Sequence, residues 1–154
     1  MLTLEFERLV EIRSSLAWQV VADVVGYANY ASNLSKASVE GEGLGMKRRC
    51  WDTRGQSWLE TCTLWETGER YSFEVDTSVY PYPFKVMKGT WRVKAEGDKT
   101  LITMRFDYEP KYGLVGKWLV SQQQGRFRAL AEDLLNNWEK AMLNHATAQL
   151  EAVT

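Results

Sequence analysis

The sequence is poor in the residues that hold small domains together by cross-links or metal. Its 154 residues include two cysteines, Cys50 and Cys62, and a single histidine, His145. Two cysteines make no disulfide framework, and neither has a further Cys or a His at ligand spacing, so buried free thiols are expected and no metal is called for. His145 falls near the end of the last helical segment with no nucleophile beside it, and reads as a surface residue rather than a general base. No window approaches the roughly 18 consecutive apolar residues of a membrane span. Net charge is almost absent as well: 19 basic against 20 acidic side chains leave −1. That leaves no broad electrostatic pull toward nucleic acid or anionic lipid, only room for local patches, and neither a nucleic-acid partner nor integral membrane association is expected. The opening MLTLEFERLVEI lacks a basic n-region, an unbroken apolar stretch and a cleavage site, so with so few cysteines a reducing, cytoplasmic setting is expected. Gly41-x-Gly43-x-Gly45 lies among strand-like segments and opens no helix, so it is not a phosphate cradle, and no cofactor is implied.

What is present reads as one globular domain over 1–154, with 45% hydrophobic and 25% charged residues, no internal repeat and no low-complexity segment. Leu2, Leu4, Phe6, Val10 and Ile12 alternate with polar residues as in a half-buried strand, with Arg8 breaking the apolar face. Ser14 and Ser15 are placed to cap a helix in which Ala17, Val20, Val21, Val24 and Ala28 recur at helical spacing to about Asn29. The polar stretch Ala31 to Ala37 reads as a second short helix or a loop. From Ser38 to Tyr108 come alternating segments rich in Val, Thr, Trp, Tyr and Phe, the strands of an antiparallel meander. Thr53-Arg54-Gly55-Gln56, Thr67-Gly68-Glu69 and Glu96-Gly97-Asp98-Lys99 each supply a glycine for a hairpin turn. Tyr80-Pro81-Tyr82-Pro83 has two residues that cannot donate to a ladder and reads as a loop at a rim. After Lys111–Gly116, one helix is expected from Lys117 to about Leu150, with Phe127, Leu130, Leu134, Trp138, Ala141 and His145 on its stripe and Gly125 bending it. Lys111, Lys117, Arg126 and Arg128 could mark a contact to lipid headgroups or RNA, but scattered charge is more commonly a solvated helix face.

This order is an α+β arrangement: about seven antiparallel strands curled around a long final helix, with Gly41, Gly43, Gly45 and Gly89 as the cheap bending points. Strand parity puts Ile102, Met104, Phe106 and Tyr108 on one inner face, Met87, Gly89, Trp91 and Val93 on the next, and Tyr71, Phe73 and Val75 beside them. If Cys50 and Cys62 point inward, so do Arg48 and Glu60, and a hairpin through Gly55 brings these two within reach as a partly buried ion pair.

Several segments resemble the polyketide cyclase/dehydrase and lipid-transport group of the START-related, birch-pollen-allergen-like (SRPBCC) superfamily. They are Leu16 to Asp23, Gly43 to Cys50, Glu60 with Trp65, Gly89-Thr90-Trp91, Thr100, and Phe106 to Pro110 with Gly113 and Gly116. The resemblance covers nearly the whole chain. It implies a helix-grip fold with a cavity between sheet and C-terminal helix, used by different members for lipids, quinones, hormones or polyketides. On that basis the expected ligand-binding residues are Arg48, Glu60, Tyr71, Phe73, Met87, Trp91, Met104, Phe106, Tyr108, Phe127, Leu130 and Leu134. The expected partner is a small hydrophobic molecule, held as by a carrier or sensor and reached near Tyr80–Phe84 and Lys111–Gly116. Arg48 and Glu60 serve equally as ligand-orienting groups or as a structural pair. An aromatase/cyclase-type enzyme is the alternative, with Arg48 and Tyr71 polarising a carbonyl and Glu60 moving protons. A quinone chaperone or ribosome-associated regulator is the third reading.

Overall fold

The computed structural model describes residues 1–153. Strand β1 (Leu2–Val10) is followed by two short helices, α1 (Ser14–Val21) and α2 (Tyr27–Tyr30). The meander comprises β2 (Leu34–Glu40), β3 (Lys47–Asp52), β4 (Ser57–Glu66), β5 (Arg70–Val75), β6 (Phe84–Glu96) and β7 (Lys99–Pro110). Helices α3 (Gly113–Ser121) and α4 (Gln124–Val153) complete the chain. All neighbouring strands pair antiparallel in the order β1-β7-β6-β5-β4-β3-β2, so the first strand closes onto the last and β2 is the far edge. This seven-stranded curved sheet with its long C-terminal helix is the expected helix-grip architecture.

The turn chemistry follows the glycines. Gly55, Gly68 and Gly97 have φ of +84°, +82° and +67° at the three expected hairpins, where a side chain would be strained. The bending points differ from expectation. Gly41, Gly43 and Gly45 also have positive φ, but they lie in the β2–β3 loop instead of within strands. The sheet has bulge-like register shifts at Leu34/Lys36, Cys62/Leu64 and Phe84/Val86.

Three boundaries also differ. Helix α1 begins at Ser14 with Arg13 at its cap position, and Ser15 Oγ accepts from Arg13 Nε instead of capping the helix. It stops at Val21, because the Asp23 carboxylate accepts the Gly26 N–H and turns the chain into α2. The stretch from Leu34 is strand β2, in which Ala37 and Val39 supply the inward face that a polar edge strand needs. The C-terminal helix is two helices. The chain is already helical at Gly113, tightens through a Gln123 N–H to Val120 carbonyl bond, and restarts at Gln124, ahead of Gly125. Buried Gly116 and Val120 on α3 and the α4 stripe keep helical phase across the break, so periodicity could not reveal it.

Helix α4 is held at both ends of the grip. Leu134, Leu135, Trp138 and Met142 are buried in the main core with Leu16, Ala17, Val20 and Val21 of α1. Arg8, which interrupts the apolar face of β1, reaches up to α4 and pairs with Glu132 at 2.6 Å while also hydrogen-bonding Asn136. Asn137 Nδ2 donates to the Tyr30 carbonyl at 2.8 Å and ties α4 to α2. His145 is exposed, and Cys50 and Cys62 are buried free thiols. Among the described residues no helix is long and apolar enough to cross a membrane.

Candidate ligand-binding cavity

Between the concave sheet face and the N-terminal part of α4 lies a cavity of 650 Å³, inside the range of about 300–1,000 Å³ usual for small-molecule sites. It exists because α4 crosses the sheet on two supports. Trp138 and Met142 pack solidly at one end, and a separate cluster of Phe84, Tyr108 and Val120 closes the other beneath α3. Between them the facing side chains do not meet.

Of the residues expected to line it, Phe73, Met87, Trp91, Met104, Phe106 and Tyr108 do so from β5, β6 and β7. Phe127, Leu130 and Leu134 form the ceiling from α4, and Arg48 and Glu60 reach it from β3 and β4. Tyr71 is the correction. Its parity is inward, but its ring is fully buried between Trp65 and Trp91, at centroid distances of 5.4 and 5.3 Å, and its hydroxyl donates to the Val21 carbonyl at 2.5 Å. It anchors α1 to the sheet and presents nothing to the cavity.

Arg48 and Glu60 are direct cross-strand partners, as the Gly55 hairpin implied. Arg48 Nε and Nη2 donate to Glu60 Oε1 at 2.8 and 2.6 Å, and Nη1 donates to the Val24 carbonyl at 3.1 Å. Trp58 Nε1 donates to Glu60 Oε2 at 2.9 Å. The guanidinium lies 4.2 Å from the Phe73 ring centre and 5.0 Å from that of Tyr27, the geometry of cation–π contact. Burial is the largest single influence and works against its charge, but Glu60, joined by Cys50, Tyr71 and Tyr27, together outweighs it and holds Arg48 more firmly protonated than a free arginine. The same burial, reinforced by Glu60, pushes the Cys50 thiol up to about 12, so this lining sulfhydryl is a neutral group. Burial likewise raises Tyr27 and Tyr80, so both hydroxyls are neutral donors. The Trp91 indole N–H is buried with no well-formed hydrogen bond, its contact with the Tyr27 hydroxyl being close enough only to favour the ionised phenol slightly.

The sequence reading missed part of this lining. Tyr80 and Tyr82 do not merely leave the sheet: both fold back edge-on against Trp58, at 5.3 and 5.9 Å, and Tyr82 Oη donates to Asp52 Oδ2 at 2.8 Å. The signal was the Tyr-Pro-Tyr-Pro spacing, which sets two rings beside one another on a stiff backbone, edge to face at 5.2 Å. Trp58 shares Glu60's parity and was readable from it, whereas Tyr27 had no local signal. The rim carries exposed Ser32, Asn33, Thr53, Arg54, Tyr112, Gln123 and Arg126, with Tyr82 and Pro83 between them. The mouth therefore includes both expected segments and, in addition, the α2–β2 loop and the Gly55 turn. Among the described residues no group of three His, Cys, Asp or Glu side chains could hold a metal ion.

A curved sheet gripping a helix across an apolar cavity, with a charged pair inside, defines a helix-grip domain of the kind that binds small hydrophobic ligands. The chain belongs to the family described as polyketide cyclase / dehydrase and lipid transport, which matches residues 1–142. Solved structures of the same fold include a Thermus thermophilus protein, with a TM-score of 0.74, 22% identity, and coverage of 94% of this chain and 99% of that one. The Zhui aromatase/cyclase of a Streptomyces species matches with a TM-score of 0.68, 18% identity, and coverage of 97% and 95%. A norcoclaurine synthase of Thalictrum flavum gives 0.68, 18% identity, and coverage of 94% and 96%. At these identities the likeness speaks for the fold. No curated protein matches the sequence.

Proposed function

We propose that this protein is a carrier or sensor that buries one small hydrophobic molecule, lipid-, polyketide- or quinone-like, in the cavity beneath α4. The observation that carries the reading is a 650 Å³ space lined by apolar and aromatic side chains around a single buried charged pair. Removing an apolar ligand from water supplies the affinity, at about 25 cal/mol per Å². The pair orients it. Arg48 has five N–H bonds, of which three are used within the protein, so two are free for an acceptor on the ligand. Glu60 cancels the charge of Arg48, which favours a neutral acceptor such as a carbonyl or phenol over a carboxylate. The aromatase/cyclase alternative keeps Arg48 and Glu60 but loses Tyr71, whose hydroxyl is already engaged.

The test fills the space from the ceiling. Ala131 is buried and lines the cavity, so Ala131→Phe puts a ring where the ligand sits. Native mass spectrometry of the purified protein should find a hydrophobic adduct on the wild type that is missing from the folded variant, and an environment-sensitive apolar dye should lose its binding in parallel. Undiminished dye binding by folded Ala131→Phe would refute the reading. Turnover of an aromatic polyketide precursor, lost in Glu60→Gln, would replace it with the enzymatic one.

A further inference from the structure

Helix α3 is more apolar than its packing requires. Of its nine residues only Gly116 and Val120 are buried, while Leu114, Val115, Trp118 and Leu119 are 83%, 64%, 61% and 47% exposed. At 100° per residue Leu114, Val115 and Trp118 share the side opposite the buried pair, and Leu119 stands at its edge, next to Gly116. The helix cannot turn to hide them, because a Cβ at position 116 would stand 1.7 Å from the Lys111 carbonyl oxygen. That glycine lets the helix start lie flat on its own entering chain, with the apolar side outward.

Along the chain through α3 and into α4 the charge is of one sign. Between Lys111 and Ala131 the sequence has Lys111, Lys117, Arg126 and Arg128 and no acidic residue, in a chain whose net charge is −1. Lys117 is exposed on α3, and exposed Arg126 stands at the cavity rim. An isologous contact between two copies through α3 would bring like charges together, whereas an anionic surface complements them. The face is a convex helix, not a groove, and its central side chain is a tryptophan, the residue that settles at the boundary of headgroups and hydrocarbon.

We propose that α3 is a membrane-docking helix: Leu114, Val115 and Trp118 enter the outer layer of an anionic lipid bilayer, Leu119 borders the cavity mouth, and Lys117 and Arg126 meet headgroup phosphates. Helix α3 is also a wall of the cavity, through Gly116, Leu119 and Val120, so docking sets the mouth against the bilayer and lets an apolar ligand pass without crossing water. This last step rests on the cavity reading, whereas the docking itself does not. Interfacial anchoring of this kind is reversible and distinct from a membrane span.

The experiment is cosedimentation of the full chain with vesicles of phosphatidylcholine alone and of phosphatidylcholine with phosphatidylserine, at low and high salt. Binding is expected only with the anionic lipid, weakening as salt rises. Lys117→Gln should weaken it about fivefold, the usual worth of one cation near an anionic surface, and Leu114→Ser with Trp118→Ser should abolish it. Neither Leu114 nor Trp118 lines the cavity, so the double variant should bind an apolar dye in vesicle-free buffer as the wild type does. Dye binding thus reports on the cavity and sedimentation on the surface, and either can fail alone. No sedimentation with anionic vesicles, equal sedimentation of the double variant, or self-association that the double variant abolishes would each overturn the proposal, the last in favour of a second copy as the occupant.

Discussion

Replacing Arg48 by Met isolates the buried pair. The two side chains are 2% and 10% exposed, so Glu60 would be left holding a buried charge with only the Trp58 N–H as partner, and the Val24 carbonyl would lose its donor. Leaving one member of a buried pair uncompensated costs about 3–5 kcal/mol, set against a total stability of about 5–15 kcal/mol for a domain. Met replaces the aliphatic stem of Arg48 but not the guanidinium over Phe73 and Tyr27, so the stranded charge is joined by the loss of those ring contacts. Changing both members, Arg48→Met with Glu60→Leu, removes the stranded charge. It leaves two orphaned neutral groups, the Trp58 N–H and the Val24 carbonyl, at about 1–3 kcal/mol each. The double variant should therefore be no less stable than Arg48→Met alone, and far more stable than the sum of the two single losses. Urea unfolding followed by tryptophan fluorescence measures all four proteins, with an unchanged slope as the check that the denatured state is the same. Single losses that add within about 0.5 kcal/mol, or an Arg48→Met loss under about 1 kcal/mol, would refute the claim that the two charges exist for one another.

Gly89→Ala would place a Cβ 2.4 Å from the Trp91 ring. The indole must move into the cavity, so a destabilisation of about 1–3 kcal/mol and weaker dye binding should appear together in thermal melts and titrations; a stability loss with intact dye affinity would show that Trp91 does not form the wall. Asp52 is pushed up by burial, but hydrogen bonds from the Tyr82 hydroxyl and the Gln56 and Arg54 N–H groups outweigh it and leave its pKa below the ordinary 3.8. Its contribution is therefore fully present above about pH 4 and drains away as pH falls through the depressed native value. Tyr82→Phe should cost about 1.5–3 kcal/mol at pH 7 and progressively less in acid, read by urea unfolding at several pH values; a difference that stays constant with pH would contradict the assignment.

Much of the strand architecture was legible because period-2 alternation survives along most of the meander outside β2, and because hairpin turns announce themselves with glycine. The ion pair could be read for the same reason: Gly55 fixes the register, and register fixes which parities meet. The two helix errors share a cause. Helical phase runs unbroken from Gly116 through Leu134, so the break at Gln122–Gln123 is invisible to periodicity, and the Asp23 side chain ends α1 through a hydrogen bond that apolar spacing does not register. Strand β2 was missed because an edge strand needs few apolar residues.

Parity along each strand, written in the chain, determined which side chains face the helix. It did not determine which of them touch empty space. Tyr71 and Phe73 have the same parity, yet one is sealed between two indoles and the other lines the cavity, because α1 packs over the first and not the second. Whether an inward residue becomes wall or filling depends on the distance between two layers. That distance is set by the sum of contacts at the two ends of α4, a quantity no local stretch of sequence contains.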